Sequence, residues 1–136
     1  MESGFNELSV IGTVEKIPQI NITKEKQLVV NLSIGSPVWT KERTFTLWVE
    51  VALWGRAAEF TRDHIGRGDL VHVVGTLLPD KETGNPRIFQ RRNGTYATRL
   101  EIKGRLITLL NVSPNSSYSQ ETTENSEFDD EVNNLF

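Results

Sequence analysis

Apolar and polar residues alternate most regularly between Phe45 and Trp54. One parity is entirely apolar and consists of Phe45, Leu47, Val49, Val51 and Leu53, whereas the other mixes polar residues with Trp48 and Trp54. Successive side chains of a strand point to opposite faces, so this pattern predicts a strand with one face in a core and one facing outward. The outward tryptophans are not needed for folding. They pack against a partner chain or receive a flat ligand, of which a nucleic-acid base is the commonest.

Alternation predicts four further strands. They cover residues 8–14, 27–34, 70–78 and 96–110. Parity within the last of them predicts that Leu100, Ile102 and Leu106 face inward. The pair Asn93-Gly94, just ahead of it, predicts a two-residue hairpin turn.

Residues 56–65 follow a helical pattern instead. Ala57, Phe60, His64 and Ile65 recur at helical spacing, and Gly66 stands where helices commonly stop. The order is therefore three strands, one helix and two strands, which is that of the OB-fold, a five-stranded, partly open barrel. We predict an all-β OB-fold with one short helix between strands three and four. Such barrels bind oligonucleotides across strands two and three.

The predicted second strand leads towards the remaining tryptophan, Trp39. If its parity continues through Gly35-Ser36-Pro37, Trp39 faces outward with Trp48 and Trp54, whereas a bulge at this point would reverse it. Continuation therefore predicts one surface that carries all three tryptophans.

Charge divides the chain at Val112. Up to that residue fifteen Lys and Arg meet twelve Asp and Glu, a net charge of +3, and beyond it six acidic residues and no basic one give −6. We expect residues 1–112 to form the folded domain and residues 113–136, rich in Ser, Asn, Glu and Thr, to be a disordered acidic tail. A basic body with an acidic tail is typical of nucleic-acid binding.

The end of the chain combines charge with apolar side chains. Asp129, Asp130 and Glu131 precede the pair Leu135 and Phe136. Such a segment could serve solubility only, but two apolar residues are not needed for that. We therefore expect this tip to dock into a basic-rimmed apolar pocket of another protein.

Two clusters join aromatic rings to cations. The first consists of Trp39, Trp48 and Trp54 with Lys41, Arg43 and Arg56, and the second, on the predicted hairpin, of Arg87, Phe89, Arg91, Arg92 and Tyr96. Rings of this kind stack on bases while cations hold phosphates. The alternatives are tryptophans packed in a subunit interface or under a loop and arginines that are merely solvated.

Other classes of function find little support. The chain has no cysteine, its two histidines lie on different elements, and no carboxylates cluster at metal-ligand spacing, so we expect no metal, no cofactor and no enzyme. No apolar run approaches the roughly 20 residues of a membrane helix, and the first residues lack a secretory signal. We expect a cytoplasmic protein without a membrane role.

Three stretches resemble the bacterial-type single-stranded DNA-binding protein family. They are residues 6–12 (NELSVIG), 47–59 (LWVEVALWGRAAE) and 68–77 (GDLVHVVGTL). The resemblance implies that Trp39, Trp48 and Trp54 stand at stacking positions of the family, and that Phe89 replaces the stacking aromatic of its long hairpin. It also implies a homotetramer, with a homodimer as the alternative, and a protein associated with the nucleoid. The tail tip departs from the family pattern in having no proline.

These observations predict a protein that binds single-stranded DNA without sequence preference and protects it in replication, recombination and repair. The acidic tail would recruit replication and repair proteins. Two alternatives stay open: an OB-fold protein-interaction module of a replisome or primosome, and an RNA-binding OB protein.

Overall fold

The computed structural model describes residues 3–111. Its elements are β1 (Leu8–Val14), β2 (Gln19–Ile22), β3 (Leu28–Trp39), β4 (Thr44–Trp54), α1 (Gly55–His64), β5 (Leu70–Leu78), β6 (Arg87–Gln90) and β7 (Tyr96–Asn111). All predicted strands and the predicted helix are present. β2 was not predicted, because its four residues are all exposed and present no buried apolar face. The predicted acidic tail and its tip lie outside the described residues.

Five strands close into a barrel. β1, β5, β7, β4 and β3 are hydrogen-bonded in that order, and β1 also pairs with β3 at Thr13↔Gly35 and Val14↔Ile34. The β4–β7 pair is parallel and the others are antiparallel. α1 lies between the third and fourth barrel strands along the chain and packs on β3, β4 and β7. This architecture is the OB-fold, as predicted.

The barrel interior is filled by the inward parity of each strand. Its fully buried side chains include Leu32, Ile34, Val49, Val51, Leu53 and Ile102. From α1, Ala58 and Thr61 are completely buried, whereas Ala57 and Phe60 are half-buried at the edge of the core. Ile65, which belongs to the predicted helical pattern, is buried in the core directly after α1. The Thr61 hydroxyl donates to the Ala57 carbonyl oxygen at 2.8 Å, so its polar group is satisfied.

Phe45 departs from the predicted core face. It has the inward parity of β4, yet 43% of it is exposed. The β3–β4 pair continues past the closed barrel to Trp39↔Thr44, so the inward side has no core to pack against near its end. The Arg43 guanidinium lies 5.5 Å from the Phe45 ring centroid instead.

Two register shifts in the β5–β7 pair change which side of the sheet the side chains of β7 point to. Val74 pairs with Leu106 but Gly75 pairs with Gly104, which leaves Arg105 as an extra residue, and a second shift lies between Leu70 and Val71. A bulge reverses parity. The prediction that Leu106 faces inward is therefore wrong: Leu106 is 56% exposed, and Ile107 packs against the core.

The hairpin between β6 and β7 is longer than predicted. Gln90 of β6 pairs with Tyr96 of β7. In the loop between them, the Gly94 N–H donates to the Arg91 carbonyl oxygen, and the Arg91 N–H donates to the Thr95 carbonyl oxygen. Gly94 has φ +89°, so the connection is a tight turn with a glycine bulge in place of a two-residue turn. The Asn93 side chain accepts from Thr95 N–H at 3.0 Å and thereby stabilises the longer loop.

Candidate nucleic-acid interface

The register of β3 and β4 determines where the tryptophans face. The two strands pair over eleven consecutive positions, from Val29↔Trp54 to Trp39↔Thr44, with no register shift. Residues directly opposite in an antiparallel pair lie on the same face. Trp39, Trp48 and Trp54 therefore share one face, and the bulge considered near Gly35 does not occur. We call the outward surface of this strand pair the tryptophan face.

All three rings are accessible in the described part of the chain. Trp39 is 58% exposed, Trp48 54% and Trp54 36%. Trp48 and Trp54 are six residues apart on one strand, so their Cα atoms lie about 20 Å apart. The Lys103 ammonium from β7 lies 5.4 Å from the Trp54 ring centroid, a cation–π contact that places a positive charge beside this ring.

The second aromatic cluster meets the first through Phe89. Phe89 on β6 and Trp48 on β4 line the same depression of about 280 Å³. The Arg99 guanidinium covers one face of the Phe89 ring at 4.6 Å. The structure therefore brings together Trp48 and Phe89, which are far apart in sequence, and adds a cation between the two strands that carry them.

The other predicted cations lie around this surface. Lys41 and Arg43 lie in the loop beyond Trp39, Arg56 is the second residue of α1, and Arg91 and Arg92 lie in the hairpin loop. All five are exposed. Tyr96 is 69% exposed at the base of that loop. Arg87 is exposed as well and lies 3.9 Å from Glu101 on β7. These seven residues do not line the depression between Trp48 and Phe89.

Three polar residues on this surface were not among the predicted site residues. Glu50 lies between Trp48 and Trp54 on the tryptophan face. Its carboxylate accepts a hydrogen bond from the hydroxyl of Ser33 on β3, and the Ser33 Oγ is 2.9 Å from each carboxylate oxygen. Lys16 and Arg99 line the same depression from the β1–β2 connection and from β7. Alternation did place Glu50 outward. It could not reveal the depression, because the walls come from strands distant in sequence.

The shifted pKa values among the described residues belong to α1 and not to the tryptophan face. Arg62 donates to Asp63 on α1 at 2.8 Å, and this hydrogen bond lowers the pKa of the Asp63 carboxyl. Within residues 3–111 no group of three metal-binding side chains could hold an ion. A helix capable of spanning a bilayer is likewise not found among these residues.

The chain is similar in sequence to a family of known proteins. A family model described as the single-strand binding protein family matches residues 5–110. The single-stranded DNA-binding proteins of Xanthomonas campestris pv. campestris and Xanthomonas axonopodis pv. citri are each 23% identical over 109 residues, which is 76% of this chain. The matched region covers 63% and 61% of those proteins, so the chain spans less than two thirds of their length.

Two solved structures share the fold at 20% identity. A Plasmodium falciparum SSB in complex with single-stranded DNA superposes with a TM-score of 0.63 and covers 82% of this chain and 99% of its own. The second single-stranded DNA-binding protein of Mycobacterium smegmatis superposes with a TM-score of 0.58 and covers 77% of this chain and 89% of its own.

Proposed function

Because the chain belongs to the single-strand binding protein family, we propose that it binds single-stranded DNA along the tryptophan face. The observation that carries this proposal is the unbroken β3–β4 register, which aligns three exposed tryptophans on one surface. Aromatic side chains in such a row let successive bases stack, at roughly 1–3 kcal/mol per base. The relatives named as single-stranded DNA-binding proteins support the choice of ligand.

The phosphates would be held by cations around the rings. Lys103 beside Trp54, Arg99 over Phe89, and the loop residues Lys41, Arg43, Arg91 and Arg92 are exposed and available for this role. Neutralising phosphates releases counterions, so binding weakens as salt rises. Stacking on a ring works with any base, and contacts to the DNA phosphates do not depend on the sequence. We infer that the protein covers single strands with little sequence preference and protects them in replication, recombination and repair.

A direct test is a fluorescence titration with oligo-dT. Bases that stack on the tryptophans should quench their emission, and the affinity should fall steeply with added salt. Unchanged emission at low salt, with no DNA retained by the protein, would refute DNA binding on this face. Stable complexes with a protein through an unquenched face would favour a protein-interaction module instead. Tighter binding of matched RNA strands would favour an RNA-binding protein.

We also propose that the protein works as a homotetramer with a recruiting tail. Ile11, Val74 and Leu106 place apolar side chains on the outer side of the β1–β5–β7 sheet, where a second copy could cover them. The six acidic residues after Val112, which include Asp129, Asp130 and Glu131, offer replication and repair proteins a charged segment ending in Leu135 and Phe136. This role is one of binding, and it would be performed on DNA in the cytoplasm.

A further inference from the structure

A carboxylate in the middle of the tryptophan face is unexpected for a surface that binds a polyanion. Glu50 is half-buried there, and the Ser33 hydroxyl opposite it donates to the carboxylate. A hydroxyl has one proton to donate, so the remaining lone pairs of Glu50 stay open towards the groove. None of the ion pairs between described residues involves Glu50. The carboxylate is oriented, but its charge is not neutralised by a paired cation.

The surroundings of Glu50 have the form of a base subsite. The depression of about 280 Å³ that contains it is lined by Trp48 and Phe89 and also by the exposed cations Lys16 and Arg99. Trp48 lies two residues before Glu50 on the same face of β4, about 7 Å away along the strand. A base stacked on Trp48 would therefore have its polar edge within reach of the carboxylate.

Charge determines which part of a nucleotide can enter. Glu50 repels phosphates, so the backbone would follow Lys16 and Arg99 while a base edge points towards the carboxylate. An ionised carboxylate only accepts hydrogen bonds. Cytosine, adenine and guanine carry exocyclic amino groups that donate, and carboxylates are known acceptors for the cytosine amino group. Thymine and uracil present a carbonyl oxygen where cytosine has its amino group, and their one donor on this edge, N3–H, lies between two carbonyl oxygens whose lone pairs would repel those of Glu50.

We propose that Glu50, oriented by Ser33, makes this depression a subsite that selects bases with an exocyclic amino group over thymine and uracil. The inference rests on the proposed function and refines it. The rings and cations elsewhere on the face bind any base, so the selectivity is a bias contributed by one subsite.

The test compares oligo-dC with oligo-dU of equal length. These bases differ only in the groups at positions 3 and 4 of the ring, and at alkaline pH cytosine stays unprotonated and unpaired. At one fixed salt concentration we expect the wild-type protein to bind oligo-dC about fivefold more tightly than oligo-dU. This ratio corresponds to the net free energy of one hydrogen bond. Equal affinities, or tighter binding of oligo-dU, overturn the inference. Failure to bind either strand would refute the proposed function itself.

Two variants separate base selection from general charge. Glu50→Gln is isosteric, and its amide can donate to uracil as well as accept from cytosine, so the ratio of affinities should fall to about one while both affinities rise. Glu42→Gln removes the same charge from an exposed position in the β3–β4 loop and should leave the ratio unchanged. A ratio that survives in Glu50→Gln contradicts the inference, as does one that collapses equally in Glu42→Gln. The wild-type comparison stands even if a variant fails to fold.

Discussion

Single residues on the tryptophan face have different surroundings. Trp39 and Trp48 are more than half exposed, whereas Trp54 is 36% exposed and has the Lys103 ammonium 5.4 Å from its ring. Trp48 is central because it also borders the depression with Phe89 and Glu50. Its ring contributes little to the core, so a substitution there should affect binding far more than stability.

We predict that Trp48→Ala weakens binding of single-stranded DNA by about 5- to 150-fold, equivalent to roughly 1–3 kcal/mol for one stacked base. The free energy of unfolding should change little. Anisotropy of a labelled oligonucleotide measures the first effect and urea unfolding the second. Phe5→Ala is the matched control, since Phe5 is 87% exposed and lies outside the face. An unfolded Trp48→Ala protein would instead support a packing role for this ring.

At the scale of elements, glycines permit the close approach of β5 and β7. Gly75 and Gly104 are opposite each other beside the bulge at Arg105. A Cβ on Gly75 would lie 2.2 Å from the Lys103 carbonyl oxygen and 3.0 Å from the Gly104 Cα. Both neighbours are backbone atoms and cannot rotate away. The strand pair can therefore form this part of the barrel only without a side chain at Gly75.

We accordingly predict that Gly75→Ala lowers the free energy of unfolding by roughly 1–3 kcal/mol or more, because the strands must separate to accept the methyl group. Urea unfolding followed by circular dichroism measures the loss. Gly66→Ala is the control: no atom lies within 4 Å of its added Cβ, and its φ is not positive. That variant should stay within about 0.5 kcal/mol of the parent. Equal unfolding midpoints for the two variants would disprove the packing argument.

Residues 3–111 present two different outer surfaces. One is the tryptophan face, and the other is the outer side of β1, β5 and β7, where Leu106 is 56% exposed beside Val74. On the latter side the Ser9 hydroxyl oxygen lies 2.6 Å from the Nε2 atom of His72, so these two polar groups hydrogen-bond to each other. This leaves the apolar side chains as groups that gain from association.

For the assembled protein we predict a mass in solution of four chains of 15.4 kDa each. Leu106→Arg should reduce that mass, since it places a charge where apolar side chains would be covered. Sedimentation or light scattering measures both. Ile22→Arg, at a 71% exposed position on β2, should leave the mass unchanged. A wild-type mass of one chain would contradict assembly, and a mass of two would contradict the tetramer.

The barrel strands, the helix between them and the outward parity of Trp48 and Trp54 are predictable from the pattern of residues along the chain. Alternation of side chains is a local property of a strand, so it can be read without knowing the neighbouring strands. The same holds for the cation-rich loops that flank the tryptophans.

Other features of the fold and of the candidate site depend on contacts between strands that are distant in sequence. The bulges of β7, the exposure of Phe45 and Leu106, the close contact at Gly75, and the depression that joins Trp48, Glu50 and Phe89 all depend on which distant strands become neighbours. Barrel closure imposes these arrangements because strands must tilt, bend and shift register for the sheet to meet itself. Parity within one strand contains no information about that closure.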